Sequence, residues 1–387
     1  RDIVDMVDLD AISYVGPAAL DQLIKAVDGA CSAPTGVGEM DVIFSPQAYH
    51  ESHLARSVTL IDAAQISIDV AMYSFRDTAI LDALDWAVRR GVAVRVIFNQ
   101  ANKDKSDPEG TMSAKLEDVG ADVRYINKVM HHKFMIVDGA QMSLGGAETG
   151  VLITGSGNWS HSAGTVFDEN TLVITGNARL NLLFQREFNH LWVNSRDLIW
   201  NESLAQLMSL PIEDWMIPGD PNVEALFTSA NFRAYESTTY GPTFTIEHGL
   251  NEVSDRWVSL IEGAQTSIYV ASGHLRSRPI AEALMAKHIA NPDMDIRVYL
   301  DSQEYTSQWT HDQQQAKLVT CVEEAGDDAK KIQKCHDVGF LFAYALDSVA
   351  LHRLDARTLE EPVYLVEPCR YVHDARPVSS CARANLS

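Results

Sequence analysis

One stretch of twelve residues recurs in similar form in this chain, 200 positions later and without a gap. Leu60–Ala71 (LIDAAQISIDVA) matches Leu260–Ala271 (LIEGAQTSIYVA). Further on, Val94–Ile97 (VRVI) matches Ile296–Tyr299 (IRVY) at an offset of 202. Each copy reads as a strand, then a helix, then a second strand, by the change from period-two to period-3.6 spacing of apolar residues. The repeat predicts two α/β lobes in tandem, each a sheet flanked by helices.

The first copy continues with further alternating elements up to about residue 192. Short apolar stretches predict strands at 121–125, 134–137, 152–154 and 172–174, and helical spacing predicts helices at 80–88, 112–119 and 178–192. We therefore expect the first lobe to hold a mixed sheet covered by helices.

Charge and hydropathy restrict the partners of the chain. Its 387 residues include 31 Lys and Arg against 53 Asp and Glu, a net charge of −22. Such a charge disfavours nonspecific coating of DNA or of an anionic membrane, unless basic residues gather locally. No apolar run approaches the roughly 18 residues needed to cross a bilayer, so we expect no transmembrane segment.

Four of the five cysteines form two close pairs along the sequence. Cys321 and Cys335 are separated by 13 residues and Cys369 and Cys381 by 11, while Cys31 stands apart. Disulfides readily close loops of this size, which favours a secreted or periplasmic protein. Buried free thiols in a cytosolic chain remain the alternative, because connectivity cannot be deduced from sequence. No spacing is C-x2-C, so we do not expect a structural zinc site.

The segment 1–35 has the spacing of two short helices around a glycine turn. It is similar to a helix-hairpin-helix motif, in which turn amides hold a nucleic-acid phosphate. Tyr14 stands where that motif has its first glycine, and Lys25 is the basic residue nearby. Packing of the helical pair is therefore favoured over phosphate binding.

The chemistry is concentrated in one region of the first lobe. His131, Lys133 and Asp138 have the arrangement H-x-K-x4-D, and Ser156 and Asn158 follow in a G-S-x-N sequence. Glu169 comes eleven residues after Asn158. His131 and Lys133 are two residues apart before a predicted strand, so their side chains point to the same side.

These residue types suit phosphoryl chemistry. An imidazole can attack phosphorus while an ammonium group holds the non-bridging oxygens. Ser156 and Asn158 can donate hydrogen bonds to the same phosphate, and Glu169 can accept one from the imidazole and fix its tautomer.

This constellation resembles the phospholipase D superfamily of H-K-D phosphodiesterases. The resemblance implies that His131 becomes a covalent phosphohistidine supported by Glu169, and that Lys133, Ser156 and Asn158 bind phosphate. It implies a structural role for Asp138. It also implies neither cofactor nor metal, because Lys133 and the hydrogen-bond donors take the place of a Lewis acid.

The second copy of the repeat departs from the family pattern. Family active sites use two H-x-K motifs, but the second copy has none, and the expected position near 331 holds Lys330 and Lys331 without a histidine. Either two chains pair their first lobes as a homodimer, or a histidine of the second lobe acts alone, or the second lobe is degenerate. We favour the homodimer slightly.

The resemblance and the repeat together predict five segments along the chain. They are a helix-hairpin-helix-like segment (1–35), a catalytic phospholipase D-like lobe (40–195), a connector (196–240), a second, degenerate lobe lacking H-x-K (241–350) and an irregular Cys-containing tail (351–387).

Three functions fit these observations. The first is a phosphodiesterase that hydrolyses phospholipid head groups, because one zwitterionic lipid presents one phosphate at a time and the net charge is little obstacle. The second is a metal-independent endonuclease acting on nucleic acid. The third is a phosphate-binding module without turnover, since losing a general acid need not abolish binding.

Overall fold

The computed structural model describes residues 38–198, 210–247, 249–273, 275, 277–300 and 308–337. The predicted segments 1–35 and 351–387 lie outside these residues. The chain divides into two compact units, the first ending at residue 248 and the second beginning at residue 249.

The first unit is built on a mixed sheet of eight strands. These are β1 (Glu39–Phe44), β2 (Ser67–Met72), β3 (Ala93–Phe98), β4 (Asp122–Tyr125), β5 (Lys133–Val137), β6 (Val151–Gly155), β7 (Asn170–Thr175) and β8 (Arg196–Asp197). They lie side by side in the order β1-β7-β6-β5-β2-β3-β4-β8. Strands β2, β3 and β4 run parallel, and every other neighbouring pair is antiparallel.

Helices cover both faces of this sheet. Those of the first unit are α1 (His53–Ala63), α2 (Thr78–Arg89), α3 (Ala101–Asp104), α4 (Met112–Asp118), α5 (Gly146–Thr149), α6 (His161–Thr165) and α7 (Ala178–Val193). Helices α1 and α2 pack on one face and α7 on the other.

The burial of strand β2 shows that the sheet lies between two layers of helices. All six of its residues are buried, with Ile68 and Val70 packed towards α1 and α2 and Ala71 towards the α7 side. A strand buried on both faces must lie between two helical layers.

Two polar side chains cap the starts of the long helices. Asp77 accepts a hydrogen bond from the Ile80 backbone N–H at the start of α2, and Asn177 accepts one from the Leu180 N–H at the start of α7.

After the sheet, the first unit continues with a β-hairpin that packs on the α7 side of its core. It is formed by β9 (Phe232–Ser237) and β10 (Gly241–Ile246), and Phe244 is buried in the core beside α7. The sequence analysis placed a connector at 196–240 and did not predict this hairpin, whose strands are short and include Pro242. The predicted boundary between 240 and 241 falls at its turn.

The described part of the second unit is smaller. It contains α8 (Glu252–Gly263), β11 (Ser267–Ser272), α9 (Arg278–Ala290), β12 (Asp295–Leu300), α10 (Gln308–Ala325) and α11 (Ala329–Asp337). Strands β11 and β12 pair in parallel. A disulfide between Cys321 and Cys335 joins α10 to α11, which confirms that pairing; Cys31, Cys369 and Cys381 lie outside the described residues.

The α/β fold with a mixed sheet flanked by helices is confirmed for the first unit. The second unit repeats one strand–helix–strand element, and a complete second lobe remains a prediction. Among the described helices, none combines the length and the apolar composition that a bilayer-crossing helix requires.

Candidate active site

His131 and Lys133 meet where the loop 126–132 enters strand β5. Lys133 is the first residue of β5 and only 8% exposed, whereas His131 is exposed. The Lys133 Nζ atom lies 3.2 Å from His131 Nδ1 and 3.5 Å from its Nε2. It also donates a hydrogen bond to the His131 carbonyl oxygen at 2.8 Å. The structure therefore holds an ammonium group against an accessible imidazole.

Tyr73 completes the immediate surroundings of this pair, although the sequence analysis did not single it out. Its ring centroid lies 4.3 Å from that of His131, and Lys133 Nζ lies 5.1 Å from the centre of the Tyr73 ring. Tyr73 follows directly after β2, at the carboxyl end of a central strand. This position in the sequence could have identified Tyr73 as a candidate site residue, because ligands bind at the carboxyl ends of strands in open α/β sheets.

Glu169 and Ser156 belong to the same electrostatic cluster as Lys133. Burial lowers the pKa of Lys133 from its usual 10.5 to about 8, and the nearby Glu169 carboxylate offsets part of this shift. Burial also raises the pKa of Glu169, while a hydrogen bond from Ser156 and the charge of Lys133 act in the opposite direction. At neutral pH Lys133 remains mostly a cation, so it can bind a phosphate oxyanion.

The G-S-x-N sequence forms the loop that follows β6. Ser156 Oγ accepts a hydrogen bond from the Asn170 N–H at 3.0 Å, and Asn158 Oδ1 accepts one from the Ser74 N–H at 3.1 Å. Because the Asn158 oxygen is occupied, its Nδ2 group is the end that can donate to a ligand. A Cβ on Gly155 would lie 2.1 Å from the Asn170 carbonyl oxygen, so this loop requires glycine there.

A small cavity beneath the site is lined in part by His53, Lys133, Gly157 and Trp159. His53 is a second residue that the sequence analysis missed. Its Nε2 lies 2.9 Å from the Asn158 carbonyl oxygen, which can only accept, so Nε2 donates. Burial lowers the pKa of His53, which keeps the ring neutral at pH 7. His53 thus holds the G-S-x-N loop through its hydrogen bond to the Asn158 backbone.

Asp138 lies at the far end of β5. Its carboxylate accepts hydrogen bonds from the backbone N–H groups of Gln65 (2.9 Å), Ile66 (2.7 Å) and Ser67 (3.0 Å). Between His131 and Asp138 lie His132 and the five residues of β5, and the strand alone spans roughly 15 Å. Asp138 therefore fastens the start of β2 to the end of β5 and is remote from the imidazole.

One group of carboxylates in the described part of the chain lies close enough together to share a cation. Glu117, Asp122 and Asp197 lie around strands β4 and β8, at the opposite edge of the sheet from β6 and β7. Glu117 already accepts from the Val123 N–H, and Asp122 pairs with Arg124 at 3.3 Å. These contacts with the protein's own groups explain the three carboxylates as structural residues of the sheet edge.

Comparison with known proteins places the site in a family context. Residues 58–192 match the family model described as "Cardiolipin synthase, PLD-like domain". This range contains His131, Lys133, Asp138, Ser156, Asn158 and Glu169.

Curated relatives align with the same region. The mitochondrial cardiolipin hydrolase of Drosophila melanogaster is 29% identical over 152 residues, which are 36% of this chain and 58% of that protein. The mitochondrial cardiolipin hydrolase of Xenopus tropicalis is 32% identical over 149 residues, covering 38% of this chain and 64% of that protein. The chain thus spans about three fifths of the length of these relatives.

Among solved structures, a phospholipase D family member, Nuc from Salmonella typhimurium, matches with a TM-score of 0.33 and 27% identity. The match covers 41% of this chain and 97% of that one.

Proposed function

Because residues 58–192 form a phospholipase D-like domain, we propose that the protein is a phosphodiesterase that hydrolyses phospholipid head groups through a covalent phosphohistidine on His131. One observation carries this proposal: Lys133 Nζ lies 3.2 Å from a ring nitrogen of the exposed His131, within the same cluster as Glu169 and Ser156. A nucleophile and a phosphate-binding cation in contact are what in-line attack on a phosphodiester requires.

In the first step, a ring nitrogen of His131 bonds to phosphorus and the bond from phosphorus to one ester oxygen breaks. That oxygen leaves as an alcohol after taking a proton from a general acid. Lys133 and the Asn158 Nδ2 group bind the non-bridging oxygens, and the Ser156 hydroxyl can turn from Glu169 to join them. The Glu169 carboxylate stabilises the positive imidazole.

In the second step, a water oxygen bonds to phosphorus and the nitrogen–phosphorus bond breaks. The water gives one proton to the group that acted as the acid, which restores the enzyme. The non-bridging oxygens keep their partners in both steps, so one phosphate subsite serves the whole reaction.

The general acid is proposed to be His131 of a second copy of the chain. The support is in the sequence, where H-x-K occurs once, at His131 and Lys133. Two first units facing each other give each site a second imidazole. A histidine of the second unit acting alone is the competing source.

Phospholipid is proposed as the substrate on two grounds. The net charge of −22 opposes binding of a polyanionic nucleic acid more than binding of a single lipid head group. The aligned relatives carry the name mitochondrial cardiolipin hydrolase, which supports a phospholipid of that type. An endonuclease acting on nucleic acid and a phosphate-binding module without turnover are the competing functions.

The test compares wild type with His131→Ala in the presence of EDTA. We expect the wild type to release product from cardiolipin or phosphatidylcholine vesicles, and His131→Ala to lose roughly 10⁴-fold or more in rate. His50→Ala, which changes an exposed histidine of the same unit, is the matched control and should keep full activity. Acid-quenched wild-type protein should carry a phosphohistidine by mass spectrometry.

Other outcomes decide between the alternatives. Cleavage of single-stranded DNA without lipid turnover would establish the endonuclease, and phosphate binding without turnover would establish the binding module. Activity that survives in His131→Ala would contradict the mechanism. If two copies share the site, excess inactive His131→Ala protein should suppress wild-type activity at constant wild-type concentration.

The disulfide Cys321–Cys335 supports a secreted or periplasmic location, which stays a proposal.

A further inference from the structure

The loop that carries the reactive histidine, residues 126–132, is held by a segment outside the phospholipase D-like domain. This segment comprises residues 223–247 and includes the β9–β10 hairpin. It contacts the loop at two points, one at each end. Asn127 is hydrogen-bonded directly to the segment, whereas His132 contacts it through the Phe227 ring and through a hydrogen bond to Glu187 of α7, which Ser229 also bonds.

The first point is Asn127. Its Nδ2 donates to the Phe244 carbonyl oxygen at 3.0 Å, and its Oδ1 accepts from the Phe244 N–H at 2.7 Å. Both polar ends of one side chain are thereby bonded to a single residue of β10. Phe244 is 2% exposed and its ring packs 5.5 Å from that of His190 on α7, so this anchor is itself fixed in the core.

The second point is His132, the residue between His131 and Lys133. Its Nε2 donates to Glu187 Oε1 at 3.0 Å, and the other oxygen of that carboxylate accepts from Ser229 Oγ at 2.6 Å. Glu187 is 5% exposed and lies on α7. The Phe227 ring packs against His132 with 5.9 Å between centroids. His132 thus points away from Lys133 and into a bonded chain that ends in the 223–247 segment.

The segment is in turn fastened to the rest of the first unit by arginines. Arg196 donates to the Pro242 carbonyl oxygen and to Thr243 Oγ1, each at 2.9 Å. Arg179 donates to the Val223 carbonyl oxygen at 2.9 Å. The contacts at Asn127 and His132 therefore connect the loop to a fixed structure.

We propose that the 223–247 segment positions the loop 126–132, and that His132, through Glu187 and Ser229, is a positioning residue for His131. The inference rests on the proposed function, because it assigns His131 the reacting role. Reactions of this kind depend on the placement of the nucleophile within fractions of an ångström, so a loosened loop costs turnover before it costs binding.

The test replaces Ser229, which is half-buried and contacts the loop through Glu187. Ser229→Ala removes the hydroxyl that holds Glu187, and Ser229→Thr restores one. Ser237→Ala is the matched control, because it makes the same change in the same segment at the hairpin turn, where the hydroxyl accepts from the Thr239 and Tyr240 N–H groups. Asn127→Ala tests the other contact point.

Two readouts are measured on the full chain. The first is hydrogen–deuterium exchange of the peptide covering 126–132, which needs no catalysis. The second is turnover of bis(p-nitrophenyl) phosphate. We expect Ser229→Ala and Asn127→Ala to speed exchange and to lower kcat roughly tenfold or more with KM nearly unchanged. Ser229→Thr and Ser237→Ala should resemble wild type in both.

The outcomes separate the two proposals. If Ser229→Ala matches Ser237→Ala in both exchange and kcat, the positioning role is wrong. If the wild type turns over no phosphodiester, the proposed function fails, and faster exchange in Ser229→Ala still supports the contact between segment and loop. A rise in KM with unchanged kcat would also overturn the inference, because it would indicate a role in binding.

Discussion

The two halves of the molecule contain the same strand–helix–strand element in different surroundings. In the first unit, β2 and β3 pair in parallel over six residues from Ser67 opposite Ala93. In the second unit, β11 and β12 pair in parallel over six residues from Ser267 opposite Asp295. Every residue of β2 is buried, whereas every residue of β11 is half-buried or exposed. A repeated sequence thus specifies the local element but not its burial.

The difference comes from what lies next to the element. In the first unit, β5 pairs with the second edge of β2, and it brings Lys133 opposite Met72 and His131 beside Tyr73. At the position of Tyr73 the second copy has Gly273, and β11 has β12 as its partner among the described strands. His131 and Lys133 of the candidate site therefore belong to strand β5 and the loop before it, which come after the repeated element, not to the repeat itself.

One pair of equivalent arginines shows how this difference in surroundings changes the burial of a charge. Arg95 of β3 is fully buried and bonds both oxygens of Asp69 at 2.6 and 2.7 Å. Its counterpart Arg297 faces Tyr269 and bonds Asp295 at 2.9 Å, with about a third of its side chain exposed. The same arginine is enclosed in one unit and near solvent in the other.

The largest effect is expected from breaking the buried pair. Asp69→Asn leaves the Arg95 charge without its counter-ion, which should lower the free energy of unfolding of the first unit by roughly 3–5 kcal/mol. The measurement is urea unfolding monitored by hydrogen exchange. Peptides from β2 and β11 report the two units separately.

Tyr269→Phe is the matched change in the second unit. It removes the 2.6 Å hydrogen bond to Asp295 from a tyrosine that is 64% exposed. Its cost should be under about 1 kcal/mol, because solvent replaces exposed polar contacts. Equal costs for the two variants would contradict the comparison between an enclosed and an open element.

An intermediate effect is expected from pH, because burial in the first unit lowers the pKa of Lys133 to about 8. In the proposed mechanism the protonated form binds phosphate, so kcat/KM should fall by about tenfold per pH unit above pH 8. The measurement is a pH–rate profile of the wild type between pH 6 and 10, each limit being about two pH units from that pKa.

Lys133→Arg is the control for this profile. Its guanidinium stays protonated, so the fall near pH 8 should disappear even if the rate is lower throughout. The stability effect has the opposite sign. Because the folded-state pKa lies below the unfolded value, the unfolded chain binds more protons between pH 8 and 10.5, and the free energy of unfolding rises with pH there. A flat wild-type profile to pH 10 would refute the assignment of Lys133.

The smallest effect is expected from making the second copy more like the first. Gly263 ends α8 where the first copy has Ala63, and a Cβ at Gly263 would meet no atom within 4 Å. Gly263→Ala should therefore raise the free energy of unfolding of the second unit by about 0.5–1 kcal/mol. Urea unfolding measures this gain, and a loss would show that helix α8 packs differently from α1.

Much of the first unit could be predicted from the sequence because its elements carry strong periodicity. The strands at 134–137, 152–154 and 172–174 and the helix at 178–192 were found within about two residues of their ends. Strand β1 was not predicted, because at the edge of the sheet it exposes Met40, Val42 and Phe44 and has no clear buried face.

The candidate site, too, could be predicted only in part. His131 and Lys133 were brought together as their two-residue spacing required, since neighbouring side chains on one side of an extended segment meet. His53 and Tyr73 are 78 and 58 residues before His131, and no local pattern connects them to it. Their role depends on which helix covers the sheet and which strand lies next to β5.

The sequence by itself determined which chemistry the candidate site is suited to, because residue types at short spacing place an imidazole beside its nearest partner. It also determined the repeated element, because periodicity is a property of the local chain. Only the tertiary structure decided how far Lys133 is buried, that His53 and Tyr73 lie beside the candidate site, and that residues 223–247 contact the loop of His131. Those properties arise from contacts between residues distant along the chain, and burial and strand neighbours exist only once the sheet has formed.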